Sequence, residues 1–323
     1  MRWRRDEART SESGRSRVVD APLFDEALLN QVRRLSLTPT ALKSSGLAGE
    51  HRSRRRGSSP EFADFKAYSM GDDYRRIDWN IYSRLGALFV RLSEVTTDIS
   101  VQVLLDASGS MDWTGDPHRP TKFVVGKQLA GVLGYLALQR FDRVTITPVA
   151  DALRPAFGPV QGRSGVHPML TYVSNLNAGG STDLPRLLDT WLRSRGSGGY
   201  LLLISDLLSG EPDDLRRALR ACRGRGWEVA VLHVLDPAER DPALLAGLLE
   251  DRAAIELVDL ETSERLRLAM TDEAVERSRL AAAEWRGAIE SACSDERALL
   301  IPIDTERSLA ELLRHMSEAG VIG

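Results

Sequence analysis

From residue 99 onward, short apolar runs alternate with longer amphipathic ones. Residues 99–105 are near-continuously apolar between polar borders, the signature of a buried strand. Residues 122–140 carry apolar positions at helical spacing. The same rhythm then predicts strands at 143–149 and 153–157, helices at 166–176 and 184–193, a strand at 200–205, a helix at 213–223 and a strand at 227–235. Strands that are apolar on both faces and separated by helices belong in a largely parallel sheet covered on each side. The 153–157 strand follows its neighbour by a tight turn, so it is expected at an edge and antiparallel. The expected fold class is α/β: a Rossmann-like, mostly parallel sheet with helices on both faces, one antiparallel edge strand, and accessory elements at each end.

The flanks read differently. Residues 1–20 are charged and Ser-rich and are expected to form a disordered tail. An amphipathic helix is expected over 24–35, a basic Gly/Ser-rich loop over 51–59, and a mixed aromatic and charged segment over 61–97 that ends in a strand at 87–92. Past residue 237 the alternation decays into a hairpin (255–259 and 264–268), a long helix (272–293), a strand (299–303) and a last helix (308–316). This divides the chain into a tail (1–20), an N-terminal accessory region (21–97), an α/β core (98–240) and a C-terminal accessory region (241–323). There is no internal repeat.

Composition narrows the picture. With 323 residues, 42 % of them apolar, the chain can bury one large core. A net charge of −3 argues against a polyanion-binding surface. The basic run from His51 to Arg56 has neither interleaved aromatics nor a nucleic-acid motif, so it reads as a solvated or partner-binding loop, and no nucleic-acid partner is expected. The two cysteines, Cys222 and Cys293, form neither a disulfide framework nor a zinc pattern. The N-terminus lacks the apolar segment of a secretory signal, and the apolar stretch at 200–204 is too short to span a bilayer. These features predict a cytoplasmic protein with no direct membrane insertion.

Candidate chemistry gathers at the strand ends. The 99–105 strand runs into Asp106-Ala107-Ser108-Gly109-Ser110-Met111. In open parallel sheets ligands bind beyond the carboxyl ends of the strands. In a turning loop, the spacing of Asp106, Ser108 and Ser110 lets one carboxylate and two hydroxyls converge. The 200–205 strand delivers Asp206 at its own end, and Gly179-Gly180-Ser181-Thr182-Asp183 offers Thr182 from a loop whose glycines permit close backbone approach. An all-oxygen set suits Mg²⁺, Mn²⁺ or Ca²⁺ rather than zinc. The competing reading is an ordinary strand-to-helix connection in which these residues cap helices. Asp183 would either cap the helix that starts at Leu184 or add a hydrogen bond behind the site.

These residues resemble the metal-ion-dependent adhesion site of von Willebrand factor A domains. The resemblance spans residues 98–236 and implies that Ser108, Ser110 and Thr182 ligate Mg²⁺ directly. It implies further that Asp106 and Asp206 act through water, and that a partner's Asp or Glu completes the octahedron. Ser181 competes for the position of Thr182. A second resemblance rests on Glu61-Phe62, Asp64, Gly71-Asp72-Asp73, Arg75-Arg76-Ile77-Asp78-Trp79, Ser83-Arg84, Gly86, Val90-Arg91 and Glu94. It is to bacterial proteins of unknown function encoded beside MoxR-type AAA+ ATPases. It implies an adaptor that works with such an ATPase on a client protein; the chain has no G-x-x-x-x-G-K-[ST] loop of its own.

Rival functions follow from the same residues. A Mg²⁺-dependent hydrolase or phosphotransferase could use Asp106 and Asp206, but the chain lacks a G-x-S-x-G elbow and a histidine placed as base. A dinucleotide enzyme is disfavoured because Asp-Ala-Ser-Gly-Ser stands where G-x-G-x-x-G would be needed. His167 and His233 read as structural. The mixed charges of Asp72, Asp73, Arg75, Arg76 and Asp78 are expected to satisfy one another, with Trp79 packed as an anchor; a docking surface for the ATPase is the alternative.

Overall fold

The computed structural model describes residues 2–4, 23–24, 32, 35, 37, 62–69, 74, 77–93, 99–196, 198–241, 244, 254–261, 265–269 and 271–322. In chain order the strands are β1 (Arg2–Arg4), β2 (Phe62–Ala67), β3 (Phe89–Ser93), β4 (Ser100–Asp106), β5 (Arg143–Val149), β6 (Phe157–Gln161), β7 (Gly199–Ser205), β8 (Trp227–Leu235), β9 (Ala254–Val258), β10 (Arg265–Ala269) and β11 (Leu299–Asp304). The helices are α1 (Trp79–Leu85), α2 (Lys122–Gln139), α3 (Val166–Ser174), α4 (Leu184–Arg193), α5 (Pro212–Gly224), α6 (Pro237–Arg240), α7 (Asp272–Asp295) and α8 (Leu309–Glu318). Two compact units result: residues 1–48 together with 99–323, and residues 49–98.

The larger unit is built on a six-stranded sheet of order β11-β8-β7-β4-β5-β6. All neighbouring pairs are parallel except β5–β6. The sheet separates two cores, because successive side chains on a strand point to opposite faces. Val101, Val103 and Leu105 of β4, with Leu202 and Ile204 of β7, pack toward α2, α3 and α8. Leu104, Leu201 and Leu203 pack toward α4 and α5, where Trp191 and Trp227 meet at 5.0 Å between ring centroids. Helix α2 is buried along most of its length and shares its core with Val32 and Leu37, which explains why its sequence is apolar nearly all round.

The expected edge strand at 153–157 is displaced. The antiparallel edge is β6, and Leu153 makes only an isolated bridge to Val149. Pro155 cannot donate to a ladder, so the chain stays irregular until Phe157. The sixth strand, β11, comes from the far C-terminal region and pairs parallel with β8, Leu299 opposite Ala230. The hairpin after residue 237 is β9–β10, and β1 adds to it antiparallel, Arg2 opposite Val258. The rest of the expected tail over 1–20 lies outside the described residues, as does most of the expected helix over 24–35.

In the smaller unit β2 and β3 pair antiparallel, and Asp78 caps α1 by accepting the Ile81 amide. Trp79 is not an anchor. It is 63 % exposed, in edge contact with Tyr82 at 6.1 Å. Asp72, Asp73, Arg75 and Arg76 lie outside the described residues. No described helix is long and apolar enough to cross a membrane.

Candidate metal centre

β4 and β7 are adjacent and parallel, Leu105 opposite Ile204, so Asp106 and Asp206 emerge side by side at their carboxyl ends. Both are essentially inaccessible to water. The Asp106 carboxylate accepts the Ser108 amide on Oδ1 at 3.0 Å and the Ser205 hydroxyl on Oδ2 at 2.6 Å. The hydroxyls of Ser108 and Ser110 lie 3.0 Å apart, and Ser110 helps lower the Asp206 carboxyl. Asp106, Ser108, Ser110 and Asp206 therefore form one connected, buried group.

Thr182 sits on the adjoining loop. The Gly109 amide donates to the Gly180 carbonyl at 2.8 Å, and the Gly179 amide to the Ala107 carbonyl at 2.8 Å, which ties the two loops together. Gly180 holds a φ of +86°, and a Cβ on Gly109 would lie 2.8 Å from the Leu260 carbonyl oxygen; both positions require glycine. The Thr182 hydroxyl donates to the Ala150 carbonyl at 3.1 Å, and its amide donates to Glu261 at 3.2 Å. Ser181 is exposed. Asp183 caps α4 by accepting the Arg186 amide.

Sequence reasoning missed the cation of this site. Lys122, at the first position of α2, is 1 % exposed. Its ammonium lies 2.7 Å from Asp206 Oδ2, also pairs with Glu239, and stands 5.7 Å from the centre of the Trp113 ring. Glu239 is held for this role by a capping box: its carboxylate accepts the Asp236 amide while Asp236 caps α6. The signal was present in the sequence. A lone lysine opening an apolar helix opposes the helix dipole and needs carboxylates nearby.

The electrostatics follow from burial and these pairs. Burial, with repulsion from Asp206, pushes the Asp106 carboxyl up to about 7 against the hydrogen bonds from Ser205 and Ser108. Burial would raise Asp206 as well, but the Lys122 charge and hydrogen bond, with the Leu208 amide and Ser110, hold it below the ordinary carboxylate range. Burial would lower the Lys122 pKa, and its two carboxylates raise it instead, so it stays charged. His233 is pushed down to about 4 by burial, and its ring hydrogen-bonds the Asp206 carbonyl at 3.0 Å.

The donor set suits a hard divalent ion. Among the described residues no three His, Cys, Asp or Glu side chains cluster as metal ligands, so the hydroxyls are needed. A hydroxyl can offer a lone pair only if its proton is placed elsewhere. Thr182 places its proton on the Ala150 carbonyl, and one of the Ser108 and Ser110 hydroxyls places its proton on the other.

Residues 64–286 match the family described as protein of unknown function DUF58, and the chain belongs to that family. It is 27 % identical over 238 residues to the uncharacterized proteins Rv1480 of Mycobacterium tuberculosis (strain ATCC 25618 / H37Rv) and Mb1516 of Mycobacterium bovis, covering 71 % of this chain and 74 % of each relative. Among solved structures it is similar to the SpRpn10 VWA domain, with a TM-score of 0.39 at 12 % identity over 69 % of this chain and 95 % of that one. It is also similar to the D319A mutant of the PilB minor pilin from Streptococcus sanguinis, with a TM-score of 0.32 at 11 % identity over 72 % and 64 % of the two chains. Likenesses of that size carry no functional weight; the architecture stands on the strand order and registers above.

Proposed function

We propose that this chain is a protein-binding module with a von Willebrand factor A-like metal site. Asp106, Ser108, Ser110, Thr182 and Asp206 would hold Mg²⁺, or Mn²⁺ or Ca²⁺ in its place. The observation that supports this most is the buried, hydrogen-bonded convergence of two carboxylates and two serine hydroxyls beyond adjacent parallel strands. A bound divalent ion would supply a Lewis-acidic centre that attracts a carboxylate from a partner. The chain's own part is to fix the hydroxyls and to keep Asp106 and Asp206 out of water.

Binding is favoured over turnover by the surroundings of the serines. Ser108 and Ser110 hydrogen-bond each other, and His233, the imidazole that touches the site, binds the Asp206 backbone and is kept neutral by burial. We assign the ATP-hydrolysing role to a MoxR-type AAA+ partner, with an Asp or Glu of a client protein as the metal's outer ligand. This part rests on the sequence motif between Glu61 and Glu94 alone.

Calorimetric titration of Mn²⁺ and Mg²⁺ into the purified chain tests the site. Saturable uptake of one ion, lost in a folded Asp106→Ala, Ser108→Ala variant, is the expected result. Uptake that survives in the variant would remove these residues from the site. Phosphate release from generic phosphoesters that disappears in Asp106→Ala would establish the hydrolase reading instead.

A further inference from the structure

Lys122 is an unusual neighbour for a metal site. An ammonium is costly to bury, and the start of a helix is the wrong end for a cation. Both penalties are offset by one arrangement. Asp206, Glu239 and the face of Trp113 surround the Lys122 nitrogen, and the Asp236 capping box aims Glu239 at it. The first of these partners is a candidate metal ligand. Asp206 Oδ2 is already paired with a permanent positive charge, and Oδ1 accepts the Leu208 amide at 3.2 Å. Like charges repel strongly where water is excluded.

We propose that Lys122 is a positioning residue that acts as an internal cation: by pairing with Asp206 and Glu239 it fixes Asp206 and weakens the site for divalent ions. The inference rests on the metal reading above and deepens it. The tethered charge meets part of the demand that Asp106, Asp206 and Glu239 create together. A divalent ion entering beside it finds Asp206 half-neutralised and a positive charge across the carboxylate. Low affinity in the isolated chain then follows from the fold itself, and a partner's carboxylate restores the missing negative charge.

Mn²⁺ titrations into the wild type, Lys122→Met, Lys122→Gln and Lys122→Arg test this, with folding checked by circular dichroism. The glutamine retains a donor for Asp206, so it serves if the methionine variant fails to fold. Neutral variants are expected to bind Mn²⁺ about ten-fold tighter or more, while the arginine variant, which keeps the charge, stays near the wild type. At a given Mn²⁺ concentration they are also expected to gain more thermal stability than the wild type does. Wild-type binding that no folded neutral variant exceeds would overturn this inference and leave the metal reading intact. No Mn²⁺ binding by the wild type or by either neutral variant would overturn both. Neutral variants that fold neither with nor without Mn²⁺ would reduce Lys122 to a purely structural role.

Discussion

The Glu261 carboxylate accepts the Thr182 backbone amide at 3.2 Å, which fastens the turn after β9 to the loop that carries Thr182. Leu260, next to it, brings its carbonyl against Gly109 and its side chain against Trp113 and Ala238. The rim of the candidate site is thus lined by a turn that begins more than a hundred residues after the first aspartate.

Glu261→Ala is expected to free that rim without unfolding the chain. A hydrogen bond to a charged group contributes on the order of 1.5–3 kcal/mol, and partial solvent exposure reduces this toward about 1 kcal/mol. Amide exchange at Thr182 should speed up by roughly five-fold, with strands β4 and β7 unaffected. Equal protection in the variant, read by hydrogen-exchange mass spectrometry, would show that the turn does not hold the loop.

Gly109→Ala probes the same contact from the other side. Its methyl would meet the Leu260 carbonyl oxygen at 2.8 Å and the Gly180 carbonyl oxygen at 3.3 Å, both backbone atoms. The expected cost is about 1–3 kcal/mol in urea denaturation, with the loss of any Mn²⁺ binding that the wild type shows. A variant with unchanged midpoint and metal affinity would contradict this packing.

His233 predicts an acid-sensitive step. Its folded pKa of about 4 lies below the ordinary value of 6.5, so the unfolded chain binds the extra proton between those values. Stability from the neutral ring is complete above pH 6.5 and falls as pH drops toward 4, by up to about 3 kcal/mol. His233→Gln keeps a donor for the Asp206 carbonyl and removes the titration. The stability gap between wild type and variant should therefore narrow as pH falls through this window. Parallel pH profiles for the two proteins would rule the effect out.

Cys222 and Cys293 are free, buried thiols, each pushed up to about 12 by burial. Alkylation at pH 8 is expected to be on the order of a thousand-fold slower than for an exposed thiol, and to follow unfolding. Rapid labelling of either cysteine by iodoacetamide in the native protein would contradict their placement.

Trp79 stands at the opposite extreme. With most of its surface in water, Trp79→Ala should change stability by less than about 1 kcal/mol. Its emission should be red-shifted relative to that of Trp191, which is fully buried. A large loss of stability in the variant would restore the anchoring role that the sequence suggested.

Much of the sheet was legible because burial on both faces writes long apolar runs. The strand at Arg143–Val149 and the helix at Leu184–Arg193 carry the bounds that the pattern predicts. Edge strand β6 was misplaced because an edge is only half buried: Phe157–Gln161 is mostly exposed and includes Pro159, so it has little apolar signal. Asp106, Ser108, Ser110 and Asp206 could be picked out because each follows the end of an apolar strand run and together they resemble a known motif; that β4 and β7 are neighbours comes from the structure. Lys122, Glu239 and Glu261 could not, since their meaning depends on which helix starts and turns lie beside those ends. Only the dipole penalty at Lys122 hinted at it.

The placement of β11 also governs the order in which the molecule can assemble. β4, β5, β7 and β8 leave the ribosome in sequence and can pair as they emerge, whereas Leu299–Asp304 follows β8 by more than sixty residues. Until it arrives, Ala230–Leu235 presents an unpaired, apolar edge. Nascent chains halted between β8 and β11 would carry that edge into solution, where such edges pair with one another. The last strand of this sheet to be made covers the edge of β8 and takes the edge position itself, with Pro302 in it.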